Sequence, residues 1–353
     1  MADRQTGHGS LASWCDSLKW GICVRPGMRP GHGEARMIGN RYVYDRGVEG
    51  LAWVTVQTDG VQIVKKDVSY GAHSISLHTI DDLGGADKLR DEATLLNYLS
   101  PLLSDQKHLT PADFKKVLLD AGEFLPRIWR GHRGNPFLDQ YDVLNPQLVY
   151  GRSFMGSVVA SESLFKEVSE VFRFVEPDQP NYGVFSHKLR ELLILLCTEI
   201  EANWKPIYDL NYPSKQVTRH TTKDYFLLKA PLRLGSYKAR LKDYPHCSFS
   251  PYVSWDGTAP TSSLTWYDAY NAVKHDRESN FHRSTLEHVL NACAALHILQ
   301  VTQWGPSLFD VMDSPRYSIF EVTEFPNVPI SEVYVPLIGT ESDFSTSRPY
   351  ETI

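Results

Sequence analysis

The clearest pattern in the chain is an alternation of β-prone apolar positions in its first third. Gly50-Leu51-Ala52-Trp53-Val54-Thr55-Val56 and Val61-Gln62-Ile63-Val64 flank Thr58-Asp59-Gly60, and an Asp-Gly between two such runs predicts a hairpin. Ala72 to His78 alternates residue by residue and predicts a third strand of that sheet. The period then changes to that of helices. Thr110 with Pro111 and Asp113 behind it reads as an N-cap, and Gly122 stands where a C-terminal cap falls, so a helix is expected between them. A second is expected from Ser161 to Arg173, ending before Pro177. The strongest helical signal is Ser186 to Lys205: Leu189, Leu193, Leu196, Ile200 and Trp204 form one apolar stripe, and Pro206 is expected to stop it. A further helix opens near Ser262 or Ser263 and carries Leu264, Trp266, Tyr267, Tyr270 and Val273. The last opens on the capping box Ser284-Thr285-Leu286-Glu287, presents Leu286, Leu290, Cys293, His297 and Val301, and ends near Gly305-Pro306.

These elements predict an α+β chain. Residues 1–150 form a region of small antiparallel sheet plus helices, residues 151–305 a mainly helical bundle, and residues 306–353 an acidic tail holding five prolines between Pro306 and Pro336. The first forty residues, rich in Gly, Arg and Ser, read as an irregular arm. A length of 353 residues, with 42% apolar and 22% charged, fits two folded units rather than a disordered chain. No run approaches the eighteen or so apolar residues of a membrane span, and the start lacks a basic segment followed by an apolar run, so a cytoplasmic protein is expected. Cys15, Cys23, Cys197, Cys247 and Cys293 are odd in number and lack CxxC spacing, which points to reduced thiols.

Charge sharpens the picture because it is unevenly spread. The net value is −6, yet from Ser214 to Pro245 eight cations face only Asp224 and Asp243, while beyond Pro306 two arginines face eight acids. Lys215, Arg219, Lys223, Arg233, Lys238 and Arg240 are interleaved with Tyr225, Phe226, Tyr237 and Tyr244. Cations for phosphates and rings for bases are the means of holding single-stranded RNA. The competing reading is that the acidic tail folds over this stretch within the chain.

The candidate chemistry lies on the penultimate long helix. Asn271 and His275 are four residues apart and share a face, with Tyr267 a turn before them and Lys274 and Arg277 beside them. An imidazole next to an amide and two cations can cut RNA without a metal: the ring relays a proton to or from the ribose 2′-hydroxyl while the cations meet the phosphate charge. The plainer reading is structural, with Trp266, Tyr267 and Tyr270 as core and a histidine that satisfies carbonyls at a helix end. His187 reads as a helix-start residue, and Glu199 bears on the imidazole only if it points toward the His275 face. Cys15, Cys23 and His32 lack zinc spacing, His73 and His78 face opposite sides of a strand, and Gly84-Gly85 and Gly131-His132-Arg133-Gly134 read as turns. No cofactor or metal is expected.

The hexamer Tyr270-Asn271-Ala272-Val273-Lys274-His275 resembles the Arg-Asn-x-x-x-His signature of the HEPN family, and Arg190-Glu191-Leu192-Leu193-Ile194-Leu195-Leu196-Cys197-Thr198-Glu199 resembles the first long helix of that fold. The family comprises helical ribonuclease domains of RNA-targeting CRISPR effectors, abortive-infection proteins and toxins. The resemblance implies a bundle that dimerises so that two copies build one RNA-cleaving site, and it implies a metal-independent endoribonuclease in phage defence or a toxin system. It spans 120 to 150 residues or so of the C-terminal half. Tyr270 stands where active members carry arginine, and it cannot hold a phosphate by charge. A non-catalytic RNA- or protein-binding dimerisation module is therefore the alternative expectation.

Overall fold

The computed structural model describes residues 39–47, 50–66, 73–103, 109–131, 146–309, 316–335, 337 and 345–353. Cys15, Cys23, His32 and the His132–Gly134 segment lie outside them.

The predicted hairpin is the centre of a five-stranded sheet. β1 (Arg41–Asp45), β2 (Leu51–Gln57), β3 (Gly60–Lys66), β4 (His73–Thr79) and β5 (Lys115–Lys116) are arranged β4-β3-β2-β1-β5, each pair antiparallel. In the β2–β3 hairpin Gln57 pairs with Gly60, and Gly60 has φ 155°; a Cβ there would lie 2.0 Å from the His78 carbonyl oxygen. The period-two alternation buries both faces. Tyr42, Tyr44, Ala52, Val54, Val56, Val61 and Ile63 pack under Leu95, Leu96, Leu99 and Leu103 of helix α1 (Glu92–Leu103). Val43, Leu51, Trp53 and Val64 pack against Val333 and Val335 on the other side. The sequence reading did not anticipate α1, although Asp91 accepts hydrogen bonds from the Thr94 backbone N–H and hydroxyl at its start.

The helix expected after Thr110 is not formed. The cap is real, with Asp113 accepting from the Thr110 backbone and hydroxyl, but it closes only the 3-10 turn Pro111–Asp113. Phe114 is then buried and the chain extends into β5, so pairing with β1 outweighs the local signal.

Four longer helices form the second half: α2 (Arg152–Val171), α3 (His187–Asn211), α4 (Thr265–His275) and α5 (Leu286–Trp304). α5 packs against the other three and is buried on nearly every side, its small residues Ala292, Ala294 and Ala295 letting neighbours approach. Its N-cap is Thr285, accepting from the His288 N–H, and the capping box expected from Ser284 to Glu287 does not form: the Ser284 hydroxyl donates to the Phe281 carbonyl and the Glu287 N–H to that of Tyr182. α3 does not stop at Pro206. The proline removes one backbone hydrogen bond, and the burial of Ile207, Tyr208 and Asn211 carries the helix a further turn and more. Trp204 anchors an aromatic cluster, stacked on Trp255 at 5.2 Å and touching Tyr225, Tyr252, Trp266 and Tyr267.

The described part of residues 306–353 is not a free tail. Strand β9 (Phe320–Glu324) completes a three-stranded sheet with β7 (Lys238–Leu241) and β8 (Ser248–Phe249) in the order β8-β7-β9, and β10 (Thr346–Ser347) pairs in parallel with β6 (Glu123–Phe124). Phe320 and Tyr334 belong to the helical core while Val333 and Val335 cover the N-terminal sheet, so this segment joins the two halves. Among the described residues no helix is long and apolar enough to cross a membrane.

Candidate functional site

Burial divides α4 cleanly. Trp266, Tyr267, Ala269, Tyr270 and Val273 face the core, Asn271 is half-buried, and Lys274 and His275 are exposed. His275 is the last residue of the helix, and Arg277 begins the short helix Arg277–Asn280 that follows, also exposed. Among the described residues the side chains of Asn271 and His275 make no hydrogen bond, and one helical turn sets their Cβ atoms about 5–6 Å apart. Tyr267 is not part of this open face: it is buried and its hydroxyl donates to Glu201 Oε1 at 2.6 Å.

Tyr270, at the head position of the motif, is 1% exposed. Its hydroxyl accepts from Lys274 Nζ at 2.6 Å, and the ammonium lies 4.8 Å from the ring centroid. That hydrogen bond holds the Lys274 pKa above its ordinary value, and burial raises that of Tyr270. The cation on this stretch of helix is thus Lys274, steered by a neutral phenol. Arg190 donates from Nη2 to the Val273 carbonyl at 3.3 Å, where α4 leaves carbonyls without intrahelical partners. His187 is the first residue of α3, its ring 4.6 Å from that of Phe281, as a helix-start role requires.

Glu199 does not point toward His275. Its carboxylate accepts from Asn203 Nδ2 at 2.8 Å on another side of α3. The basic stretch does not join the motif either. Arg190 and Val273 meet at the N-terminal end of α3, whereas Lys215 follows its C-terminal end; α3 has 25 residues and is about 37 Å long. Nor is the stretch a free cationic groove. Arg233 makes two bonds to the Glu332 carboxylate at 2.6 and 2.7 Å, Lys238 pairs with Glu324 at 3.2 Å, and Arg240 pairs with Glu321 at 2.6 Å. The β7–β9 pairing brings Glu321 and Glu324 to Arg240 and Lys238, while Glu332 comes from the 3-10 turn Ile330–Glu332 further along the C-terminal segment. Tyr225 and Tyr237 are buried in the core, which withdraws them as stacking platforms. Lys215, Arg219 and Lys223 stay exposed, Lys215 lying 5.1 Å from the Tyr212 ring centroid.

A second polar constellation escaped the sequence reading. Asn203 Oδ1, on buried α3, accepts from Ser157 Oγ at 2.7 Å, Arg127 Nη2 at 3.1 Å and Gln300 Nε2 at 3.3 Å. Trp304 Nε1 donates to Gln300 Oε1 at 2.8 Å, and the Arg127 guanidinium lies 5.0 Å from the Trp304 ring. Arg127 has φ 56°, uncommon for a non-glycine residue. Burial lowers its pKa to about 10, raises that of Tyr150 to about 12, and raises that of Glu199. The signal was present: Asn203, Gln300 and Gln303 occupy positions whose helical neighbours are apolar, and polar groups in a core stripe need partners. Asn203, Gln300 and Gln303 are 1, 0 and 4% exposed, so the cluster is closed to a substrate and acts by tying α2, α3 and α5 to Arg127. Among the described residues, donors able to hold a metal are gathered at Asp178, His246 and Cys247, and not around His275.

No family model, no curated protein and no solved structure matches this chain.

Proposed function

We propose that the chain is a HEPN-like RNA-acting protein, in which the α4 faces of two copies form a metal-independent endoribonuclease site. His275 moves the proton at the ribose 2′-hydroxyl or the leaving oxygen, Asn271 orients the ribose or phosphate through its carboxamide, and Lys274 and Arg277 hold the phosphate and meet its developing charge. A twofold pairing brings like faces together, which an exposed motif at a helix end permits. The observation that carries the reading is the unpartnered, exposed His275 one turn from Asn271, on a helix whose other face is sealed in the core. A histidine serving the fold would be packed or paired. His297 is such a residue, buried with Nδ1 2.9 Å from Ser318 Oγ.

The test is incubation of purified protein with RNA in EDTA beside His275→Ala. Cleavage by the wild type and its loss by about 10²-fold or more in the variant is expected; identical RNA profiles sink the nuclease reading. A second reading, a non-catalytic RNA- or protein-binding dimerisation module, is favoured by Tyr270: its phenol is buried and engaged by Lys274, so no arginine-like contact to a phosphate comes from that position. RNA binding without cleavage, equal in wild type and His275→Ala, selects it.

A further inference from the structure

Among the described residues one group of three side chains combines the ligand types of a transition-metal site, and it lies outside the motif helix. Asp178 precedes the 3-10 turn Gln179–Asn181 in the connection between α2 and α3, and His246 and Cys247 come from the turn between β7 and β8. His246 Nε2 is 2.5 Å from Asp178 Oδ1, Cys247 Sγ is 3.9 Å from the same oxygen, and the three ligand atoms all lie within 4.8 Å of one another.

We propose that Asp178, His246 and Cys247 bind one divalent ion of the zinc class, with the fourth position open to water. Around a tetrahedral zinc, bonds of about 2.0–2.3 Å set such donors about 3.3–3.6 Å apart. The thiol is already near that spacing from the carboxylate, and a metal ion taking the place of the His246–Asp178 hydrogen bond would set the imidazole at it as well. The pairing of a thiol with an imidazole selects a borderline-soft ion over magnesium or calcium. The site is built asymmetrically: Cys247 is 4% exposed and anchored by donating to the Pro177 carbonyl at 3.0 Å, whereas the His246 and Asp178 side chains are 65% and 41% exposed. The open side admits the ion and leaves room for water. Glu176, beside the Tyr244 hydroxyl, adds negative charge nearby. A metal ion takes the Cys247 sulfur as thiolate, so binding releases the thiol proton.

The experiment uses the full chain, stripped with a chelator, kept reduced and titrated with Co²⁺. One equivalent should bind with a near-ultraviolet thiolate-to-cobalt band, be displaced by Zn²⁺ and ignore a Mg²⁺ excess. Cys247→Ser should abolish the band. His246→Gln changes an exposed side chain and keeps a polar group beside Asp178, and it should weaken Co²⁺ about ten-fold or more. The proposal is overturned if the wild type gives no band, if Cys247→Ser gives the same band, or if His246→Gln binds as tightly as wild type. None of these outcomes depends on whether the protein acts on RNA.

Discussion

Replacing Asn203 by alanine tests whether the buried polar cluster holds the helical half together. Its Oδ1 is the acceptor for Arg127 Nη2, and Arg127 is 5% exposed with no hydrogen-bond partner for Nε among the described residues. Ser157 and Gln300 keep each other, and Gln303 keeps the Leu299 carbonyl. The loss therefore falls on two charged groups: the guanidinium, and the Glu199 carboxylate that accepts from Nδ2. Hydrogen bonds to buried charged groups contribute roughly 1.5–3 kcal/mol each, so Asn203→Ala should cost about 4 kcal/mol. With a urea slope of about 3 kcal/mol/M that is a fall of about 1 M in the unfolding midpoint at unchanged slope. Repeating the substitution in an Arg127→Met background removes the stranded cation, and there the cost should drop by about 2 kcal/mol, a coupling readable from the double-mutant cycle. A cost below about 1 kcal/mol, or no coupling, refutes the assignment of this cluster as a structural tie.

Three further outcomes follow from the same coordinates. Burial, with Lys242 as a lesser cause, holds the His297 pKa down at about 3 from an ordinary 6.5. The folded state therefore refuses a proton that the unfolded chain accepts below pH 6.5, and stability, fully present above that value, falls by about 1.4 kcal/mol per pH unit as the pH drops toward 3. His297→Phe should flatten this limb in acid titrations of unfolding free energy; an unchanged slope counts against a neutral buried ring. Gly60→Ala forces a Cβ against the His78 carbonyl and should cost about 2–3 kcal/mol in thermal unfolding, and a neutral effect would mean that the β2–β3 turn differs. Tyr270→Arg places the arginine of the HEPN signature at a site 1% exposed, so it should lose about 3 kcal/mol or more rather than gain cleavage; a stable variant with raised activity would show that the position opens outward.

Much of the fold was legible where local pattern and tertiary packing agree. The β2–β3 hairpin and the apolar stripe of α3 each put an apolar face where a core formed. Failures came where a partner distant in sequence decided the outcome. Thr110 to Asp113 made its capping box, yet Lys115 and Lys116 went to the edge of β1. Pro206 carried the usual stop signal, but burial of Ile207 and Tyr208 outweighed one lost hydrogen bond. Counting cations from Ser214 to Pro245 gave a basic patch, while Arg240 meets Glu321 across 81 positions of sequence. At the site, the four-residue spacing of Asn271 and His275 was enough to put both on one side of α4. The same spacing puts Asn203 one turn from Glu199 and offered a partner other than His275, whereas no spacing rule could reveal that Asp178 meets Cys247.

Neutralisation of the basic stretch also fixes how a polyanion would be held, if the motif helix is its dock. Arg233, Lys238 and Arg240 are spent on Glu332, Glu324 and Glu321, and Lys215 lies toward the far end of α3. One copy then offers Lys274 and Arg277 near His275, enough for about two phosphates and a slope of about −1.4 in log affinity against log salt for a single strand. Two copies sharing one cleft offer about four, and the slope doubles to about −2.8. Measured on single-stranded RNA, the steeper value supports the composite site and should return to the shallower one when Lys274→Ala is introduced in both copies. A slope of −5 or beyond would mean that the stretch from Lys215 to Arg240 contributes after all, and that the pairings with Glu321, Glu324 and Glu332 open when RNA binds.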